Sequence, residues 1–164
     1  MLINRCSRKD HIIYSKKSRL TIKKTIACLI TTLMVEYIFT QDTFSIIAVD
    51  PNSGQVGSAG ASCIQGSVII SDVHPGIGGI HTQSYWNEIN QDSASYLMEQ
   101  GYSPDEIIEW LINNDSQNDP SIRQYGIVDL VEGGRSASFT GTNCLNYKGH
   151  IIGENYAIQG NILL

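Results

Sequence analysis

Residues 43 to 62, TFSIIAVDPNSGQVGSAGAS, read as a β-hairpin. Thr43 to Asp50 is rich in β-branched and aromatic residues, Pro51-Asn52-Ser53-Gly54 supplies the turn, and Gln55 to Cys63 forms the returning strand. In that second strand Val56, Gly57, Ala59, Gly60 and Ala61 leave little room for polar side chains, which predicts a strand buried on both sides and closely approached by a neighbouring layer. Thr43 opens the first strand directly behind a long hydrophobic stretch. A threonine there is either an ordinary β-former or a nucleophile whose amine is freed by processing.

The chain of 164 residues carries a net charge of -5, unevenly spread. Residues 1 to 40 hold eight Lys or Arg against two acids, whereas 41 to 164 hold three basic residues against fourteen acidic ones. Within the basic part, KKTIACLITTLMVEYIF (23 to 39) places Lys23 and Lys24 before an apolar run from Thr25 to Val35, the layout of a secretory signal peptide. Residues 1–41 are therefore expected to be a basic extension and signal peptide, cut near Thr40, Gln41 or Asp42. Residues 42–164 would form the exported domain, periplasmic or extracellular. A membrane anchor is the competing reading, although the run is shorter than the roughly 20 residues a spanning helix needs. Arg123, Arg135 and Lys148 are too few and too scattered to form a nucleic-acid surface.

Further along, Ser67 to Ser71 and Ile77 to Ser84 read as strands separated by His74-Pro75-Gly76. Asn90 or Asp92 is expected to cap a helix running to Gly101. A second helix opens on Ser103-Pro104-Asp105-Glu106, where Ser103 caps, Pro suits the first turn and Glu106 closes a capping box. Asp115 to Pro120 reads as a solvated loop. Four more strands follow: Arg123 to Leu130, Arg135 to Thr140, Lys148 to Ile152 and Tyr156 to Leu163. Strands, a helix pair and strands again make a layered α+β protein. The last strand, AIQGNILL, is followed by no helix, so one sheet face is expected to stay uncovered, with the chain apparently truncated at its C-terminus and open to self-association through that face.

Four segments together carry a resemblance: the opening hairpin, GIGGIHTQS (76 to 84), RQYGIVDLVEGGRSASFTG (123 to 141) and GHIIGENYAIQGNILL (149 to 164). They resemble the bacterial domain of unknown function 1028, a family placed among the Ntn hydrolases. The resemblance implies a four-layer αββα sandwich and an N-terminal-nucleophile amide hydrolase acting on a peptide or small amide. In that chemistry the first residue of the first strand attacks the carbonyl while its own α-amine, titrating near about pH 8, takes the proton. Thr43 occupies that position. Gln83, Gly160 and Asn161 become expected site-lining residues, offering backbone or amide donors to the oxyanion. Cleavage after Thr40 or Gln41 would leave the Thr43 amine acylated, so a further trimming step is required. Arg135 and Lys148 are the cations available to sit near the nucleophile. A non-catalytic envelope or extracellular binding domain on the same scaffold is the alternative.

Other groupings carry less. Asp72, His74, His81 and His150 match no metal-ligand spacing, and Asn113 to Asp119 lacks the glycine and terminal glutamate of a calcium loop. The GSAGAS and GIGG glycines lie within strands, not at the strand-to-helix turn of a phosphate loop. No cofactor or metal is expected. Cys144 and His150 make no recognisable nucleophile pair. Export would let Cys63 and Cys144 form a disulfide, the alternative being two separate thiols. Tyr85-Trp86 reads either as packing at a strand-to-helix junction or as part of a ligand surface.

Overall fold

The computed structural model describes residues 42–163; the expected signal peptide and Leu164 lie outside them. Two antiparallel sheets face one another. The first has the order β2-β1-β8-β7, formed by β1 (Thr43–Asp50), β2 (Gln55–Ala61), β7 (Gly149–Ile152) and β8 (Tyr156–Asn161). The second has the order β3-β4-β5-β6, formed by β3 (Ser71–His74), β4 (Gly78–Ser84), β5 (Arg123–Asp129) and β6 (Arg135–Thr140). Between the middle strands of the second sheet run two helices, α1 (Glu88–Glu99) and α2 (Pro104–Asn113).

The hairpin forms as its residues dictate. The Asp50 carboxylate accepts from the Asn52 amide at 3.0 Å and the Ser53 hydroxyl at 2.7 Å, while Gly54 takes a positive φ of 69° that a side chain would resist. Alternation then sorts β1: Thr43, Ser45, Ile47 and Val49 are buried between the sheets, and Phe44 and Ile46 face outward. The facing layer is graded along the strands. At one end Ile47, Val49, Val128 and Ala157 form an apolar cluster; toward the Thr43 end the same alternating positions carry Ser45, His81, Gln83, Gln124, Gln159 and Asn161, all buried. The sheets approach so closely that a Cβ on Gly79 would lie 2.3 Å from Ile47 Cδ1, and one on Gly126 would lie 2.0 Å from Gln159 Oε1.

Both helices cover the other face of the second sheet. Ala94, Leu97, Met98, Ile107, Ile108 and Leu111 pack on Ile80, Tyr125, Ile127 and Ala137. The capping box of α2 is present, Ser103 accepting from the Glu106 amide and Glu106 from the Ser103 amide. The first helix starts earlier than the sequence suggests: Asn87 is its cap, accepting from Asn90 N, and Asn90 itself is buried, donating to Asp115 Oδ2 at 2.6 Å and Tyr125 Oη at 2.8 Å.

Three other expectations change. Strand β2 is exposed along most of its length, because it lies at the edge of its sheet; the strand buried at every position is β5, sandwiched between the helices and the first sheet. Ser67–Ile70 is a 3-10 turn launched by Gly66 at φ 74°, and extended structure begins only at Ser71. Asp115 is not solvated: its carboxylate receives Arg123 Nε at 2.7 Å, and both residues are buried.

Helix, sheet and sheet thus make three layers of mixed α/β architecture. Among the described residues, the outer face of the first sheet shows Phe44 51% and Ile151 62% exposed, flanking Ile46 and Ile158. None of their helices is long and apolar enough to cross a membrane.

Candidate functional site

At the polar end of the sandwich a cleft of about 260 Å³ opens where β1 begins and β8 ends, lined by Thr43, Ser62, Cys63, Gln83, Tyr85 and Asn161. Its shape follows from the strand register. Thr43 pairs with Asn161, and Gln83 reaches the same place from the opposing sheet, where its neighbour Ser84 pairs with Arg123. Thr43 is 8% exposed, and its hydroxyl lies 2.9 Å from that of Ser62, which follows β2 on the edge of the sheet. Two residues of the rim, Ser84 at φ 74° and Ile162 at φ 57°, hold left-handed backbone, which is costly for a β-branched isoleucine. Such strain persists where the surroundings impose it, and it concentrates at functional sites.

Beneath the cleft a chain of amides ties the sheets together. Ser45 Oγ donates to Gln83 Oε1 at 2.6 Å and accepts from Gln159 Nε2 at 2.7 Å. Gln83 Nε2 and Asn161 Nδ2 both donate to Gln124 Oε1, at 2.8 and 3.0 Å. Gln124 Nε2 in turn donates to the carbonyl of Gly160 at 2.9 Å and to Thr140 Oγ1 at 2.9 Å. These bonds hold the groups they join in one arrangement, although Gln159 Oε1 is buried without a hydrogen-bond partner. Each amide nitrogen of Gln83 and Asn161 carries a second hydrogen that the bond to Gln124 does not consume.

Of the four residues expected to line the site, Thr43, Gln83 and Asn161 come together. Gly160 does not join them. Its Cα faces outward, with Leu163 packed where a Cβ would lie, and it lines a separate hollow with Phe44 and Tyr147.

The two candidate cations sit elsewhere. Arg135 is paired with Asp129 at 2.6 Å, at the far end of β5, and Lys148 Nζ is spent on the carbonyls of Thr142 and Cys144. Arg123 reaches the rim of the cleft, donating to the Tyr85 carbonyl at 2.5 Å, but it is committed to Asp115 and Gln117. Burial opposes ionisation of Asp115, yet Arg123 together with the amides of Asp119, Gln117 and the Asn90 side chain holds the carboxyl well below its ordinary range.

Ser62 escapes sequence reasoning because a serine just past a strand end carries no distinguishing pattern. Ser45, Gln124 and Gln159 escape it too; the signal they carry is a polar residue at an inward position of its strand's alternation. Cys63 and Cys144 are separate thiols, Cys63 exposed at the cleft and Cys144 buried with Sγ donating to the Arg123 carbonyl at 3.2 Å. Trp86 Nε1 donates to Gln91 Oε1 at 2.5 Å, stapling the junction into α1. No group of three or more His, Cys, Asp or Glu among the described residues is placed to hold a metal ion.

The sequence model of a family of unknown function, DUF1028, matches residues 43–164, and the chain belongs to that family. A crystal structure of a DUF1028 protein from Silicibacter pomeroyi superposes with a TM-score of 0.65 at 24% sequence identity, covering 74% of this chain and 55% of that one. The likeness is one of fold, and the chain spans about half the length of that protein. No curated protein matches the sequence.

Proposed function

We propose that the domain is an exported amide hydrolase of the N-terminal-nucleophile type, with Thr43 as nucleophile and a peptide or small amide as substrate. The observation that carries this reading is the convergence of Thr43, Gln83 and Asn161 on one strained cleft at the start of the first strand. Two facing sheets with helices on one side are the part of an αββα sandwich that such chemistry uses, and the open face of the first sheet is where the fourth layer would lie.

The steps follow from the groups present. With Thr43 as first residue, its α-amine accepts the Oγ1 proton as the oxygen adds to the amide carbonyl. Ser62 Oγ, 2.9 Å away, orients the hydroxyl. The remaining amide hydrogens of Gln83 and Asn161 stabilise the oxyanion, and the protonated amine passes its proton to the leaving nitrogen. Water then repeats the attack on the acyl-threonine. None of this runs while Thr43 is acylated by Asp42, so removal of residues 1–42 is a condition of activity. N-terminal sequencing and intact mass of the protein recovered from its producing cells test that condition: a chain starting at Thr43 supports the reading, and one starting at Gln41 or Asp42 removes its base.

One observation favours a second reading, a binding domain without catalysis. Gln83 is engaged at both ends of its amide, by Ser45 and by Gln124, as expected of a side chain whose task is to join the sheets. Under that reading Thr43→Ala leaves function intact; under the first it abolishes hydrolysis without unfolding the domain.

A further inference from the structure

A larger cavity, of about 480 Å³, lies between the edge strands β2 and β3, bounded by Ser58 and Gly60 of β2, Ser67 and Val68 of the 3-10 turn, Ser71 of β3 and His81 of β4. Its volume falls within the range of small-molecule sites. His81 is fully buried at its floor because β4 turns alternate residues toward the first sheet: Gly79 meets Ile47, Gln83 meets Ser45, and His81 between them meets Ser58. Nε2 of His81 lies 2.7 Å from Ser58 Oγ and 3.2 Å from Ser71 Oγ, and the two hydroxyls are 2.7 Å apart. Ser58 is an exposed residue that lines the cavity, with its hydroxyl in contact with the buried imidazole. Four residues, about 13 Å of extended chain, separate it from Ser62 in the Thr43 cleft.

We propose that Ser58 is a nucleophile activated by His81, and that this cavity is a second reactive site, independent of Thr43, which accepts small esters with good leaving groups. With the ring proton on Nδ1, Nε2 takes the Ser58 proton as Oγ adds to the ester carbonyl. The carbonyl then reforms, the bond to the alcohol oxygen breaks, and the Nε2 proton leaves with the alcohol. An acyl-Ser58 ester remains. Water attacks it with His81 again as base, releasing the acid and restoring the serine, so the net reaction is ester plus water to acid plus alcohol.

The surroundings set the substrate class. Nδ1 of His81 is buried without a hydrogen-bond partner, so no carboxylate supports the imidazolium that each step creates. Burial alone pushes the imidazole down to about 4, which keeps Nε2 neutral at physiological pH and also makes it a weak base. An activated ester, whose leaving group needs little help, acylates Ser58 readily, whereas hydrolysis of the resulting alkyl ester depends more on the base. Acylation therefore outruns deacylation, and the site displays a burst followed by slow turnover.

The test is p-nitrophenyl acetate with the full chain. The expected result is a burst of p-nitrophenolate close to one equivalent, an acetyl adduct by intact mass that peptide fragmentation maps to Ser58, loss of both in Ser58→Ala, and acetylation at least about a hundredfold slower in His81→Gln. Should His81→Gln fail to fold, the wild-type burst itself is measured in D2O, where proton transfer to Nε2 in the rate-limiting step slows it. An adduct on another residue, equal labelling of Ser58 in folded His81→Gln, or a burst rate unchanged in D2O overturns the proposal.

Discussion

Arg123 and Asp115 form an ion pair out of contact with water, Nε to Oδ2 at 2.7 Å, in a segment whose composition reads as a polar loop. The pair anchors three things at once: the loop after α2, the start of β5, and, through the Tyr85 carbonyl, the rim of the Thr43 cleft. Removing one member leaves the other charged and buried, at a cost of about 3 to 5 kcal/mol. Urea denaturation of Asp115→Ala is therefore expected to show a loss of that size; a loss within about 0.5 kcal/mol, typical of exposed positions, would show the pair to be unimportant.

Acid is expected to destabilise the domain in two stages. An unfolded imidazole titrates at 6.5 and the buried His81 at about 4, so the unfolded chain takes up the proton first and acid favours unfolding. The stability His81 contributes is complete above pH 6.5 and is lost as pH falls toward 4, on the order of 3 kcal/mol by linkage. Asp115, held below its ordinary range, adds stability above about pH 4 that disappears only in stronger acid. Urea midpoints across this range should fall with pH in the wild type and fall less between neutrality and pH 4 in His81→Gln. Parallel curves for the two proteins would contradict the assignment.

The spacing of the sheets gives a glycine prediction with its own control. A methyl on Gly126 would lie 2.0 Å from Oε1 and 2.7 Å from Nε2 of Gln159, forcing that amide away from Ser45; a methyl on Gly57 meets nothing within 4 Å. Gly126→Ala is expected to cost about 1 to 3 kcal/mol and Gly57→Ala to stay within about 0.5 kcal/mol, read as denaturation midpoints. Equal effects would mean that the sheets are not held at this separation.

The outer face of the first sheet joins the exposed Phe44, Ile46 and Ile151 around a half-buried Ile158 into an apolar surface. Such a surface drives self-association in water. Light scattering over a concentration series is expected to show species larger than a monomer, reduced by the double substitution Phe44→Lys, Ile151→Lys. A stable soluble monomer of the unaltered chain at every concentration would contradict this.

Much of the framework is local and therefore visible in the residues. Thr43–Asp50 and Arg135–Thr140 match their expected bounds, and the Ser103 to Glu106 capping box declares itself. What the chain conceals depends on partners distant in sequence. The small residues of β2 look like those of a doubly covered strand, but coverage is decided by position in the sheet, and β2 is an edge. Asp115 looks solvated until β5 brings Arg123 to it. For the site, the motif supplied Thr43, Gln83 and Asn161, which do meet, while the outward turn of Gly160 follows from a one-residue alternation on β8 that the motif does not encode. Ser58 and His81 touch across two sheets, 23 residues apart, with no spacing rule to announce them.

The central claim is that Thr43 acts through its own amine, and two chains that differ by one residue test it most directly. One begins at Thr43 and the other at Asp42, both produced by a protease that leaves no extra residue, and both are assayed against the same panel of peptide and small-molecule amides. Hydrolysis by the first alone, lost in its Thr43→Ala variant, is the predicted result. Equal hydrolysis by both chains, or none by the folded chain that begins at Thr43, would contradict it.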